Sequence, residues 1–100
     1  MEEDFIGLID SYLENTPTLL NGIEAGVANQ NCSQVAVSSH SLKSSSANVG
    51  AMKLSELSKR LELAARADEF SQVQELAAEV VAQYQKVEQA LKAICERGTV

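Results

Sequence analysis

From Val73 onward, apolar residues recur at intervals of three and four: Val73, Leu76, Val80, Tyr84, Val87, Leu91 and Ile94. Only an α-helix returns such spacing to one face, and this one would hold it for about six turns. A strand would scatter the same side chains over two faces. The chain must therefore contain one long amphipathic helix, and its other segments must be of a kind that packs along it.

They have the same period. Phe5, Ile6, Ile9, Tyr12 and Leu13 form a first apolar stripe. Thr16 followed by Pro17 reads as an N-cap and first helical position, where proline's missing N–H costs nothing. A second helix then carries Leu19, Leu20, Ile23 and Val27 inward. Asn29-Gln30-Asn31 interrupts the pattern, and Asn31 or Ser33 caps a third helix running to about Val49, with Gly50 as the turn that closes it. Leu54, Leu57, Leu61 and Ala64 line a fourth helix, and Asp68 is placed to start the long fifth. Helices joined by such short links pack as antiparallel neighbours. The expected fold is all-α: an up-down antiparallel four-helix bundle with an additional short N-terminal helix, with residues 1–100 as a single domain.

Charge narrows the function. A formal net charge of -6, with scattered basic residues, argues against a hold on nucleic acid or an anionic membrane surface. Met1-Glu2-Glu3-Asp4 puts acids where a signal peptide has a basic start, and no apolar run reaches membrane-spanning length. A cytoplasmic location is expected, without direct membrane contact. Cys32 and Cys95 read as free thiols, and one histidine with two distant cysteines makes no metal set.

Against that acidic background, Ser39 to Ala51 holds the chain's only histidine, His40, and a single charged side chain, Lys43. Val35, Ser39, Leu42, Ser46 and Val49 fall within a stripe about 80° wide and form the buried face of this helix. His40 lies about 140° from the centre of that stripe, on a side shared with Ala36, Val37, Ser44 and Ala47. An exposed imidazole among small uncharged residues reads as a docking surface, and Lys43 at i+3 is within reach of an anion on the ring. The pairing points to phosphate chemistry on the imidazole. Ser45 and Ser46 are expected to bond back to carbonyls one turn earlier or to pack against a neighbouring helix.

The run His40-Ser41-Leu42-Lys43-Ser44-Ser45-Ser46-Ala47-Asn48-Val49-Gly50-Ala51 closely resembles the signature of histidine-containing phosphotransfer domains of multistep two-component signalling. The resemblance extends to Tyr12-Leu13-Glu14, to Pro17–Leu20, and to Leu57, Leu61-Glu62 and Ala65-Arg66. It implies a phosphorelay intermediate without kinase activity. His40 would be the phosphoacceptor, taking the group from the aspartyl phosphate of one response-regulator receiver domain and passing it to the aspartate of another. Lys43 would stabilise the phosphoryl group, Glu62 would orient the imidazole, and Val37, Ser41, Ser44 and Ala47 would meet the partner. No cofactor is implied in this chain itself, Mg²⁺ being expected on the receiver. Ser44 stands where relatives usually have glycine, which adds a hydroxyl at the point of approach. A start close to the first core helix suggests a domain at the C-terminal end of a hybrid sensor kinase, itself a membrane protein in many cases, with a free-standing protein of the same family as the alternative. The alternative reading is an adaptor of the same fold that binds a receiver without being phosphorylated.

Overall fold

The computed structural model describes the backbone of residues 2–98 and the side chains of residues 5–96, and among these residues all regular structure is helical. Four helices follow in order: α1 (Glu2–Ala28), α2 (Cys32–Asn48), α3 (Met52–Arg66) and α4 (Phe70–Gly98). Each packs on the next, and α4 returns to α1. Contacts run in opposite senses along each pair. Tyr12 meets Ser46 while Gly22 faces Ser38, and Asp10 meets Cys95 while Glu24 lies near Gln74.

The separate short N-terminal helix does not exist. Its residues and those of the expected second helix form one continuous α1, with Pro17 inside it. Thr16 is no N-cap: its hydroxyl is buried and donates to the Tyr12 carbonyl one turn back at 2.6 Å. An interior proline removes one backbone hydrogen bond and costs about 3 kcal/mol. Ile9, Tyr12, Leu20 and Ile23 are all buried on both sides of it, and each such side chain contributes about 1.5–3 kcal/mol, so packing outweighs the break.

All three joints use one device. Asn31, Ala51 and Glu69 each donate their backbone N–H to a carbonyl five residues back, at Gly26 (2.7 Å), Ser46 (2.9 Å) and Ala64 (3.0 Å). The residue before each donor has positive φ: Gln30 at 53°, Gly50 at 80° and Asp68 at 61°. These are Schellman closures, which satisfy helix-end carbonyls that would otherwise lack partners. Asp68 therefore ends α3 instead of starting the next helix, and Glu69, whose carbonyl accepts from Val73, precedes α4. Of the two candidates for the cap of α2, Asn31 fills the role, its side chain accepting from the Gln34 N–H at 3.2 Å.

The core runs through all four helices, from Ile9, Tyr12 and Ile23 through Val35, Leu42, Leu54 and Leu61 to Val73, Val80 and Tyr84. Gly26 lets α1 and α2 approach closely, since a Cβ there would sit 2.6 Å from Val35 Cγ2. Phe5 and Ile94, both placed on apolar stripes by their spacing, are instead exposed. They lie towards the end of the bundle where Asp10 of α1 meets Cys95 of α4. No helix of the described residues is long and apolar enough to cross a membrane. Cys32 and Cys95 are free thiols, and no cluster of three or more metal-ligating side chains occurs among the described residues.

Candidate functional site

α2 presents His40 where its register predicts, with 55% of the side chain exposed. Beneath the ring, Val35, Ser39, Leu42 and Ser46 anchor the helix in the core. The buried serines are satisfied. Ser39 donates to the Val35 carbonyl at 2.7 Å, and the Ser46 and Tyr12 hydroxyls bond each other at 2.8 Å. Ser45 bonds back to the Leu42 carbonyl at 3.3 Å, so both outcomes expected for this pair occur. Ser55 of α3 donates to the Lys43 carbonyl at 2.9 Å and pins the two helices at the level of the site.

Val37, Ser41, Ser44 and Ala47 are exposed around the imidazole. Ala36, expected on the same face, is buried instead. α2 packs against both α1 and α3, so its covered arc is wider than the stripe of large apolar residues suggests. That second contact brings α3 to His40, and beside it a hollow of about 470 Å³ opens, lined by Cys32, Ala36 and Val37 of α2 and by Ala65 and Arg66 of α3.

Glu62 comes up from α3 as the centre of the site. Its carboxylate, 7% exposed, takes four donors. Oε2 accepts from His40 Nδ1 at 3.0 Å and from Arg66 Nε and Nη2 at 3.0 and 2.8 Å, and Oε1 accepts from Lys43 Nζ at 3.1 Å. Burial by itself pushes this carboxyl up. The hydrogen bonds from Arg66, Lys43 and His40, with the charge of the imidazole, outweigh it and bring the pKa down to about 2.

A group so strongly held is ionised at neutral pH and accepts hydrogen bonds only. The nitrogen facing it must then carry the proton, which fixes His40 as the Nδ1–H tautomer and leaves the lone pair of the neutral ring on Nε2. Among the described residues Nε2 takes no hydrogen bond. The site is thus a nucleophilic nitrogen on an exposed ring, oriented from below by a carboxylate and flanked by an ammonium.

The structure brings His40, Lys43 and Glu62 together. Gly50 sits at the positive φ its role as a turn requires. Arg66 joins the cluster through two bonds to Glu62, a place that the Ala65-Arg66 pattern by itself does not assign. Its spacing of four from Glu62 on one helix was the available signal, a register at which opposite charges meet.

The chain matches the family model described as Hpt domain over residues 7–96. Among solved structures it resembles histidine-containing phosphotransfer protein B (HptB) from Pseudomonas aeruginosa PAO1, with a TM-score of 0.92 and 25% sequence identity across 97% of this chain and 84% of that one. No curated protein matches the chain. Hpt domains carry phosphoryl groups on histidine, are not kinases, and work with response-regulator receiver domains in two-component phosphorelays. The family model runs nearly end to end, and its fold places a prepared histidine on the surface; the chain belongs to the Hpt domain family.

Proposed function

We propose that this chain, acting as one domain, is a relay intermediate between two receiver domains. His40 Nε2 takes a phosphoryl group from the aspartyl phosphate of one receiver and passes it to the aspartate of another. The observation that supports this most directly is the 3.0 Å bond between His40 Nδ1 and Glu62 Oε2, which leaves Nε2 as the nucleophile on a half-exposed ring.

In the forward step the Nε2 lone pair attacks phosphorus, the N–P bond forms, and the O–P bond to the donor aspartate breaks. The donor leaves as a carboxylate. The Nδ1 proton stays where it is, so the ring gains positive charge as the bond forms, and the buried Glu62 carboxylate stabilises that charge. Lys43, on the same helix as His40, offsets the charge of the phosphoryl oxygens. The return step is the same sequence reversed onto a second aspartate. Val37, Ser41, Ser44 and Ala47 form the low, uncharged platform on which a receiver seats itself, with the serine hydroxyl of Ser44 at its edge. The receiver brings Mg²⁺, and this chain supplies position and charge.

Incubation with a phosphorylated receiver and Mg²⁺ tests the reading. Acid-labile, alkali-stable phosphate is expected on the wild type, none on His40→Gln, and a reduced rate of labelling on Lys43→Ala. Receiver binding without any label on the wild type overturns the relay in favour of the adaptor reading.

A further inference from the structure

We propose that Arg66 is a positioning residue, holding the Glu62 carboxylate on His40 Nδ1 while Lys43 leaves that carboxylate to meet the incoming phosphoryl group. The role of Lys43 in this inference rests on the relay function proposed above.

The two carboxylate oxygens are not equivalent. Oε2 carries the His40 bond and both Arg66 bonds, and Oε1 carries only Lys43. Each cation is also tied to a different part of the site. Lys43 is on α2, one turn from His40, so its ammonium follows the ring and whatever the ring carries. Arg66 is on α3, one turn from Glu62, so its guanidinium follows the carboxylate. Release of Lys43 from Oε1 therefore breaks no bond on Oε2.

Charge makes that division necessary. A phosphoryl group on Nε2 brings about two negative charges, and Lys43 is the cation placed to answer them. With Lys43 gone and no Arg66, Glu62 would be a buried carboxylate facing a dianion, with only the ring N–H for support. Protonation would relieve it, and a carboxyl that can donate as well as accept no longer fixes the tautomer. The titratable groups bonded to Glu62 are His40 and Lys43 from α2 and Arg66 from α3, and none comes from α1 or α4 among the described residues. Arginine suits the task because it stays protonated and sets two N–H groups on one oxygen, a geometry lysine lacks.

The test reads the His40 tautomer directly, by long-range ¹H–¹⁵N correlation on the unphosphorylated protein at mildly alkaline pH. Arg66 is 58% exposed, so its substitution leaves the core intact. Relative to wild type, Arg66→Gln is expected to lower the ratio of Nδ1–H to Nε2–H by about fivefold or more, Lys43→Gln to change it by less than about twofold, and Arg66→Lys to fall between. The same variants are then scored for phosphoryl acceptance, which both Arg66→Gln and Lys43→Gln slow. An unchanged tautomer ratio in Arg66→Gln, or an equal loss in Lys43→Gln, overturns the assignment. Wild-type protein that takes no phosphoryl group, with the tautomer ratios as expected, supports the Arg66 clamp on Glu62 and overturns both the relay and the departure of Lys43.

Discussion

Removing the charge of Glu62 while keeping its shape, as in Glu62→Gln, should make the stability of this fold respond differently to acid. Folding takes the Glu62 pKa from an ordinary 4.5 to about 2, an interval worth roughly 3 kcal/mol at full strength. Lys43 and Arg66 are 30% and 58% exposed, so water and salt screen part of their share, and about 2 kcal/mol is the expected contribution. The sign follows from the depression. Between the two values the unfolded chain binds the proton and the native state does not, so the contribution is complete above 4.5 and drains away as pH falls through about 2. Urea unfolding of wild type and Glu62→Gln in parallel isolates the effect, because every other carboxylate titrates in both proteins and cancels in the difference. The wild type should lead by about 2 kcal/mol at neutral pH, and the lead should shrink towards zero as the medium approaches pH 2. A lead that stays constant across that range, or no lead at neutral pH, would show that the cluster does not hold the carboxylate in the way its distances imply.

The remaining expectations concern stability and need only melting or urea curves. Among the described residues the buried Tyr84 hydroxyl has no hydrogen-bond partner, and burial with the nearby charge of Glu88 pushes its pKa up to about 12, so Tyr84→Phe should stabilise the protein by about 1 kcal/mol; a loss of that size would reveal a partner for the hydroxyl. Gly26→Ala should destabilise by about 1–3 kcal/mol, because the new Cβ meets Val35 Cγ2 at 2.6 Å and backbone atoms at 3.1 Å. Gly7→Ala, in the same helix with open space around it, should instead stabilise by about 0.5–1 kcal/mol, and equal effects at the two sites would refute the close approach of α1 and α2. At the joints, Gly50→Ala should cost about 1 kcal/mol and Gln30→Gly should gain a similar amount, since both residues sit at positive φ; an opposite sign at either would mean that the turn is not the left-handed closure described.

The long helices and the outward aim of His40 were legible from spacing alone, because a core stripe at intervals of three and four leaves little freedom in what faces out. At Pro17 and Ala36 tertiary packing overrides the local signal, and at Asp68 the backbone of the turn does. Pro17 is a local helix-start signal, but Ile9, Tyr12, Thr16, Leu20 and Ile23 keep an unbroken three-and-four spacing across it. Asp68 carried a cap-forming side chain, but its place was decided by the backbone, which an aspartate follows into the left-handed region more readily than most residues. Ala36 is too small to announce burial in a stripe, and only the second contact of α2 explains it. The burial of Glu62 was the least legible part of the site. A carboxylate at a covered position is a penalty in isolation, and it becomes acceptable only when four donor nitrogens from three side chains on two helices converge on it.

The pairing of α1 with α4 has a consequence for how such a unit can be built into larger assemblies. Asp10 and Cys95 touch, so the beginning of α1 and the finish of α4 emerge side by side at one pole. Gly22 lies opposite Ser38 on the adjoining α2, which sets His40 close to the level of residue 20. At the rise of an α-helix, that is about 15 Å along the axis from the Asp10–Cys95 level, and on the α2–α3 side of the bundle. Any covalent neighbour, upstream or downstream, would be hitched at that pole, about three turns of helix away from the exposed imidazole of His40.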